Sequence, residues 1–285
     1  MVIVKKRRRL VKLSDATAVD SPLHKICRVD SNEPSLTMAS GSFYIPKQKE
    51  QNPLGDDAHF ICPKQQTIGV ADGVGGWARK GVDPGEYARE LIANSVMATL
   101  DQPNGTVVDP KEVLNHAFLN TEARGSSTAC ILTLSGNILH AVNVGDSGFV
   151  LMRGGEIVYR SPVQQHRFNC PYQLGNTNDN PSLAKELKVR VIEGDIIVAG
   201  TDGLFDNLDS SDIEQAVNRG LDEDIMPPAL AWNIARFAYY RSVDCDAESP
   251  FAKAAQEAGY KLTGGKIDDI TVIVAYIVSS DLVHH

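Results

Sequence analysis

Apolar residues along this chain recur with two periods, and the changes between them set out its elements. Thr67 to Ala71 is a short, nearly continuous apolar run that ends at Asp72, followed closely by Gly73, Gly75 and Gly76. Such a run predicts a buried strand with a carboxylate at its mouth, and the glycines let the next backbone turn tightly and approach what the carboxylate holds. Ser42 to Ile45 and Ala58 to Cys62 predict two further strands. Two helices follow, announced by Asp83-Pro84-Gly85-Glu86 and Asp109-Pro110-Lys111-Glu112. Each pairs a capping aspartate with a first-turn proline and a reciprocal glutamate. Ala88, Leu91, Ile92, Val96 and Leu100 fall on one face of the first helix, and Val113, Leu114, Ala117 and Phe118 on one face of the second. These stripes predict packing against a core.

A strand-rich block comes next. Ser127 to Leu134 and Ile138 to Val144 flank Ser135-Gly136-Asn137, Phe149 to Arg153 and Glu156 to Tyr159 flank Gly154-Gly155, and Lys188 to Ile192 and Ile196 to Ala199 flank Glu193-Gly194-Asp195. All three read as hairpins. Between the second and third, Gln164 to Pro181 is polar and irregular, a candidate active-site flap. Ser211 with Glu214 predicts a capping box at the start of a helix, Pro227 to Tyr240 a longer helix, and Asp269 to Val278 a closing β-branched strand. Strands, helices, hairpins, helices and a last strand predict packed sheets with helices outside. No repeat or linker interrupts the chain after Ser40.

Composition narrows the class. At 285 residues with 42% hydrophobic and 22% charged residues, the body is expected to be globular, with a sizeable core. The net charge of -8 argues against general nucleic-acid binding. Cys27, Cys62, Cys130, Cys170 and Cys245 are odd in number and form no C-x-x-C pair, as in a reduced, intracellular protein. No apolar stretch is long enough for a transmembrane helix. Residues 1–39 read as a leader, with a basic cluster at Lys5-Lys6-Arg7-Arg8-Arg9 that fits a nuclear signal, an organelle-targeting remnant or a solvated tail. Residues 40–278 are expected to form one domain and 279–285 a short tail.

Aspartates stand at comparable places in that pattern. Asp56-Asp57 precedes a strand, Asp72 ends one, Asp146 sits where a strand meets a turn, Asp202 follows Ile196 to Thr201 with Asp206 four residues on, and Asp268-Asp269 precedes the last strand. Any one of these could simply cap a turn, but carboxylates gathered at strand ends would repel one another unless a cation joined them. Histidine and cysteine are missing from these positions, so a hard divalent ion such as Mg²⁺ or Mn²⁺ suits them better than zinc. A pair of such ions would activate water for in-line hydrolysis of a phosphate ester without a protein nucleophile, and no G-x-S-x-G elbow is present.

In their order, these motifs resemble the metal-dependent serine/threonine protein phosphatases of the PPM family, the type 2C phosphatases. The resemblance runs from Ser40 to Val278 through Gly55-Asp56-Asp57-Ala58, Val70-Ala71-Asp72-Gly73-Val74-Gly75-Gly76, Gly125-Ser126-Ser127-Thr128-Ala129, Val144-Gly145-Asp146-Ser147, Thr201-Asp202-Gly203-Leu204-Phe205-Asp206 and Asp268-Asp269-Ile270-Thr271. Asp72 to Trp77 and Gln164 to Asn169 are similar to the branch with mitochondrial and plastid members. The resemblance implies an α+β fold, a four-layer α/β/β/α sandwich of two mainly antiparallel sheets flanked by helices. It also implies a two-metal centre of Mg²⁺ or Mn²⁺. By position, Asp72 would bridge both ions, the Gly73 carbonyl would hold the first, and Asp202 and Asp268 the second. Asp57 would act with Asp72 in catalysis through metal-bound water. Asp56 and Asp57 would belong to the same metal set, Asp56 at a place where the family usually has glutamate, a shorter reach that could insert another water, and Asp146, Asp202 and Asp206 match a weaker third-metal site. Val74 stands where many members carry a histidine proposed as general acid. The family's phosphate-binding arginine has no obvious counterpart. Lys47, Lys49, Arg79 and Arg167 are substitutes, with Arg79 first, and His59 and His166 are expected to be structural.

The function expected from this resemblance is hydrolysis of phosphoserine and phosphothreonine in proteins. The alternatives are a non-catalytic phosphoprotein-binding or scaffold protein that kept the fold, and a phosphodiesterase acting on nucleic acid. Intact metal carboxylates argue against the first and the absence of a basic groove against the second. The partners expected are phosphoprotein substrates of a monomer, without nucleic acid or a membrane span. The cytoplasm or nucleus is expected, or an organelle from the branch resemblance.

Overall fold

The computed structural model describes residues 35–47, 54–102 and 106–282. The basic leader cluster, Lys49 and the last residues of the tail lie outside the described residues.

The first sheet contains β1 (Leu36–Ile45), and the second begins with β2 (Asp57–Cys62) and β3 (Thr67–Asp72). After helices α1 (Pro84–Leu100) and α2 (Pro110–Asn120) come β4 (Ser126–Ser127), β5 (Ala129–Ser135), β6 (Ile138–Val144), β7 (Gly148–Arg153) and β8 (Glu156–Arg160). The flap carries three short strands, β9 (Gln165–Arg167), β10 (Cys170–Pro171) and β11 (Leu174–Gly175), and is followed by β12 (Lys185–Arg190) and β13 (Ile196–Gly200). Helices α3 (Asp202–Phe205), α4 (Ser210–Asp222), α5 (Pro227–Ser242) and α6 (Pro250–Glu257) precede β14 (Ile270–Ser279). One five-stranded sheet has the order β1-β14-β13-β7-β8 and the other β12-β6-β5-β3-β2. Every neighbouring pair in both is antiparallel.

The central strands are apolar on both sides because both of their faces are covered. Ile68, Val70, Cys130, Leu132, Phe149, Leu151, Ile197, Ile273 and Ala275 form the core between the sheets. The alternate residues Ala71, Ala129, Ile131 and Val142 pack outward against α1 and α2. Val150, Val198, Val272 and Val274 pack outward against α4 and α5. The result is the four-layer α/β/β/α sandwich.

Four local expectations need correction. The segments either side of Glu193-Gly194-Asp195 do not pair as a hairpin: β12 pairs with β6, whereas β13 pairs with β14 and β7 in the other sheet. All five residues of β13 are buried, so it takes a central place with both edges filled, while β12 alternates exposed and half-buried residues as an edge strand does. The capping box of α4 is formed by Asp209 and Asp212, and Glu214 instead accepts from the Ile157 amide at 2.8 Å. Leu100 is exposed; the buried face of α1 turns instead through Ser95 and Thr99, whose hydroxyls bond back to Leu91 and Ser95 carbonyls. The strand expected from Ser42 to Ile45 begins earlier, at Leu36, because the whole length of β1 pairs with β14.

Leu132 is fully buried between the sheets. Leu132→Ala is expected to cost about 2–5 kcal/mol of stability in urea unfolding. A loss below about 1 kcal/mol would contradict an inter-sheet position for this side chain.

Candidate metal centre

The antiparallel register brings the aspartates to one end of the sandwich. β2 starts where β3 stops, and Asp57 lies directly opposite Asp72. In the other sheet β13 ends as β14 begins, with Gly200 opposite Val272. Asp202 therefore opens α3 beside the segment that carries Asp268 and Asp269. Asp146 lies in the turn that carries the chain from β6 in one sheet to β7 in the other. Asp72, Asp146 and Asp202 each offer a carboxylate oxygen, all within 4.8 Å of one another.

Two glycines allow this approach. Gly55 has φ +71°, and a Cβ there would fall 1.9 Å from the Tyr44 hydroxyl and 2.0 Å from Asp269 Oδ1. A Cβ on Gly73 would fall 2.2 Å from the Pro84 carbonyl oxygen, and the Gly73 amide donates to the Asp56 carbonyl at 3.0 Å. Arg89, from α1, donates to the Gly55 carbonyl at 3.0 Å and pairs with Asp83, which ties the helix start to the acidic loop.

Hydroxyls fix the carboxylates without neutralising them. Asp57 Oδ2 accepts from Thr201 Oγ1 and Thr271 Oγ1, each at 2.8 Å. The Asp72 amide is held by Thr128 Oγ1 at 3.1 Å, and Asp146 Oδ2 accepts from the flap residue Gln165 at 2.9 Å. Asp269 Oδ1 accepts from the Tyr44 hydroxyl at 2.6 Å and the Lys47 amide at 3.0 Å. Asp57 Oδ1, Asp146 Oδ1, Asp202 Oδ1 and Asp269 Oδ2 remain buried without a hydrogen-bond partner.

Burial and nearby carboxylates make Asp57, Asp72, Asp146, Asp206 and Asp269 hard to ionise. Burial first, then Asp269, pushes Asp57 well above the usual carboxylate range; burial first, then Asp202, does the same to Asp72. Asp146 is raised to about 7 by burial and by Asp202. Asp206 is raised to about 6, where burial outweighs the attraction of Lys266. Asp268 goes the other way: burial would raise it, but Lys266 and Lys47 together hold it low. Lys266 Nζ lies 2.7 Å from Asp206 Oδ2 and 3.3 Å from Asp268 Oδ2 and also bonds Asp202 Oδ2, while Lys47 Nζ lies 3.4 Å from Asp268 Oδ1.

Unpartnered, buried, all-oxygen donors are what a hard divalent cation requires, and they fit Mg²⁺ or Mn²⁺. Of the residues expected at the site, Asp57, Asp72, Asp146 and Asp202 surround those donors, while Asp206 and Asp268 converge on Lys266. Asp56 is buried beside them, with its carbonyl on the Gly73 amide. Arg79 is exposed on a short 3-10 helix, Gly75–Lys80, and the ion pairs to the cluster among the described residues come from Lys47 and Lys266. His59 bonds Ser42 Oγ at 3.0 Å, and His166 bonds Asp179 at 2.9 Å while stacking on Tyr172. Lys266, Thr201, Thr271 and Tyr44 escaped sequence reasoning. The signal for Lys266 was a lone cation two residues ahead of Asp268.

No family model matches the chain. Probable protein phosphatase 2C 55 of Arabidopsis thaliana is 49% identical over 263 residues, covering 92% of this chain and 55% of that protein. The chain thus spans little more than half the length of that relative. Probable protein phosphatase 2C 26 of Arabidopsis thaliana is 37% identical over 275 residues, covering 90% of each. Among solved structures, the photosystem II phosphatase PBCP superposes with a TM-score of 0.78 at 34% identity, covering 86% of this chain and 99% of that one. The catalytic domain of the serine/threonine protein phosphatase PstP, in complex with two manganese ions, shares the fold at a TM-score of 0.60 and 17% identity, covering 86% and 100%.

The raised acids give a pH signature. Asp146 and Asp206 bind protons near pH 7 and 6 in the folded chain but near pH 4 unfolded, so folding takes up protons between these values. The stability they contribute is complete below about pH 4 and is lost as pH rises to about 7. In EDTA, Tm is therefore expected to fall from about pH 5 to about pH 7.5, and saturating Mn²⁺ to abolish the fall. A Tm that is level in EDTA over this range would contradict the electrostatic account.

Proposed function

The chain belongs to the protein phosphatase 2C family, and on that premise we propose that it hydrolyses phosphoserine and phosphothreonine in proteins. The observation that carries this reading is the set of inward, unpartnered oxygens on Asp57, Asp146 and Asp202, gathered with Asp72 at one end of the sandwich. The manganese reported for PstP supports the choice of metal. Asp72 and the Gly73 carbonyl would hold one divalent ion and Asp72 and Asp202 a second, Mg²⁺ or Mn²⁺ in each place, while Asp268, expected as a further ligand, has one oxygen on Lys266 and the other on Lys47. When bound, these ions supply the Lewis acidity that activates water and neutralises the phosphoryl oxygens.

The chain's own residues supply position. Thr201 and Thr271 hold Asp57 by Oδ2, so that Oδ1 alone is left to orient the attacking water. Asp56, shorter than the family's glutamate, supports that water from further away. Lys47 is the cation placed to meet the phosphoryl group, since its ammonium already lies against Asp268 at the rim of the cluster; Arg79 is a second, outer cation on the turn after the glycines. Val74 carries no proton, and His59 and His166 are engaged elsewhere. The leaving oxygen therefore takes its proton from solvent. Phosphoproteins are the substrates of this reading, and the chain acts as a monomer. No helix among the described residues is long and apolar enough to cross a membrane. The likeness to a photosystem II phosphatase favours an organelle as the compartment.

Hydrolysis of a phosphothreonine peptide is expected to require Mg²⁺ or Mn²⁺, to stop in EDTA, and to fall at least about 100-fold in Asp72→Asn with the fold retained. Full turnover in that variant would rule out the metal assignment. Val74→His is expected to raise kcat several-fold where protonation of the leaving group limits the rate. An unchanged kcat in a folded variant would show that protonation by solvent is not the slow step.

A further inference from the structure

Lys266 does not behave as a surface lysine. Its side chain is only 14% exposed. Its backbone is clamped at both groups by one buried side chain: the Lys266 amide donates to Asn207 Oδ1 and its carbonyl accepts from Asn207 Nδ2, both at 2.9 Å. Asn207 Nδ2 also donates to the Gly203 carbonyl at 2.9 Å, so the lysine is bound to the same short helix that carries Asp202 and Asp206. From this mount the ammonium reaches Asp202 Oδ2, Asp206 Oδ2 and Asp268 Oδ2, and it passes 5.4 Å from the Phe251 ring centroid. An ammonium has three N–H donors, and here they meet three carboxylates.

The two sides of the cluster therefore differ. The inner oxygens, Asp57 Oδ1, Asp146 Oδ1 and Asp202 Oδ1, have no hydrogen-bond partner. The outer oxygens of Asp202, Asp206 and Asp268 already share a positive charge. We propose that Lys266 is a resident cation of the centre, which takes the place of a further metal ion at Asp146, Asp202 and Asp206 and confines divalent ions to the inner oxygens. A divalent ion joined to Asp206 Oδ2 and Asp202 Oδ2 at ordinary Mg²⁺ or Mn²⁺ distances, about 2.1 Å, would stand no more than about 4 Å from Nζ, where like charges repel strongly. The tether also keeps Lys266 in place at any metal concentration, which a weakly bound third ion would not be.

This inference rests on the two-metal reading above, and counting bound ions separates the failure of one from the failure of the other. Mn²⁺ bound to protein freed of metal is counted by isothermal titration calorimetry and by the EPR signal of the unbound ion. The intact chain is expected to take up two ions, Asp206→Asn two, Lys266→Met three, and the double variant two. Loss of an ion on Asp206→Asn alone would place Asp206 in a metal site already and overturn the proposal without any lysine variant. Equal counts in the intact chain and a folded Lys266→Met would overturn it too, leaving the two-metal reading intact. An intact chain that binds no Mn²⁺ would end both. If Lys266→Met does not fold, acylation by an N-hydroxysuccinimide ester decides, read by peptide mass spectrometry. Lys266 is expected to stay protected in the intact chain with Mn²⁺ bound, and release of the amine on metal addition would show that the ion displaces it.

Discussion

Asp57, Asp72, Asp146 and Asp206 meet where little water reaches them, and burial and the neighbouring carboxylates make each of these four hard to ionise. Around this repulsion the rest of the site is arranged. Thr201, Thr271 and Gln165 orient the acids with neutral donors, and the Thr128 hydroxyl accepts from the Asp72 amide, which fixes geometry but leaves the charge in place. Among the described residues, Lys266 and Lys47 are the cations paired with the cluster, and both serve its outer side. The inner side is a demand for positive charge that divalent ions would meet.

A sandwich of two antiparallel sheets suits such a demand. Strand ends from both sheets reach one edge, and side-by-side register places Asp57 against Asp72 with no loop to relax. Three buried layers hold that edge, with helices on both outer faces. Repulsion that would splay two loops is resisted here by the packing of entire strands. Glycine is required where the acidic loop crosses Tyr44 and Asp269, because any Cβ at Gly55 would overlap both.

Much of this was legible in the sequence, because the signals were local. Apolar runs ending in Asp72 and leading to Asp202 located strand ends, and the Asp-Pro starts of α1 and α2 located helices whose caps are present, with Asp83 accepting from Gly85 and Asp109 from Lys111. What stayed hidden depends on partners distant in the chain. The turn at Gly194 is real, yet its two arms belong to different sheets, a fact set by which strands fill the edges of β13. Arg79 follows the glycines in sequence, but it is Lys47, reached through the pairing of β1 with β14, that touches Asp268. The role of Lys266 depends on Asn207 and on carboxylates that the fold gathers around it. Thr271 sits in an apolar run where only the facing Asp57 gives its hydroxyl a purpose.

On the proposed reading, inward carboxylate oxygens at one end of the sandwich hold divalent metal while Lys266 occupies the outer side. Anomalous diffraction at the manganese edge from crystals grown with Mn²⁺ tests this most directly. Anomalous peaks are expected between Asp72, Gly73 and Asp202, with the Lys266 ammonium still on Asp206. Manganese bonded to Asp206 in the place of that ammonium, or no peak at Asp72 in a protein saturated with the ion, would contradict it.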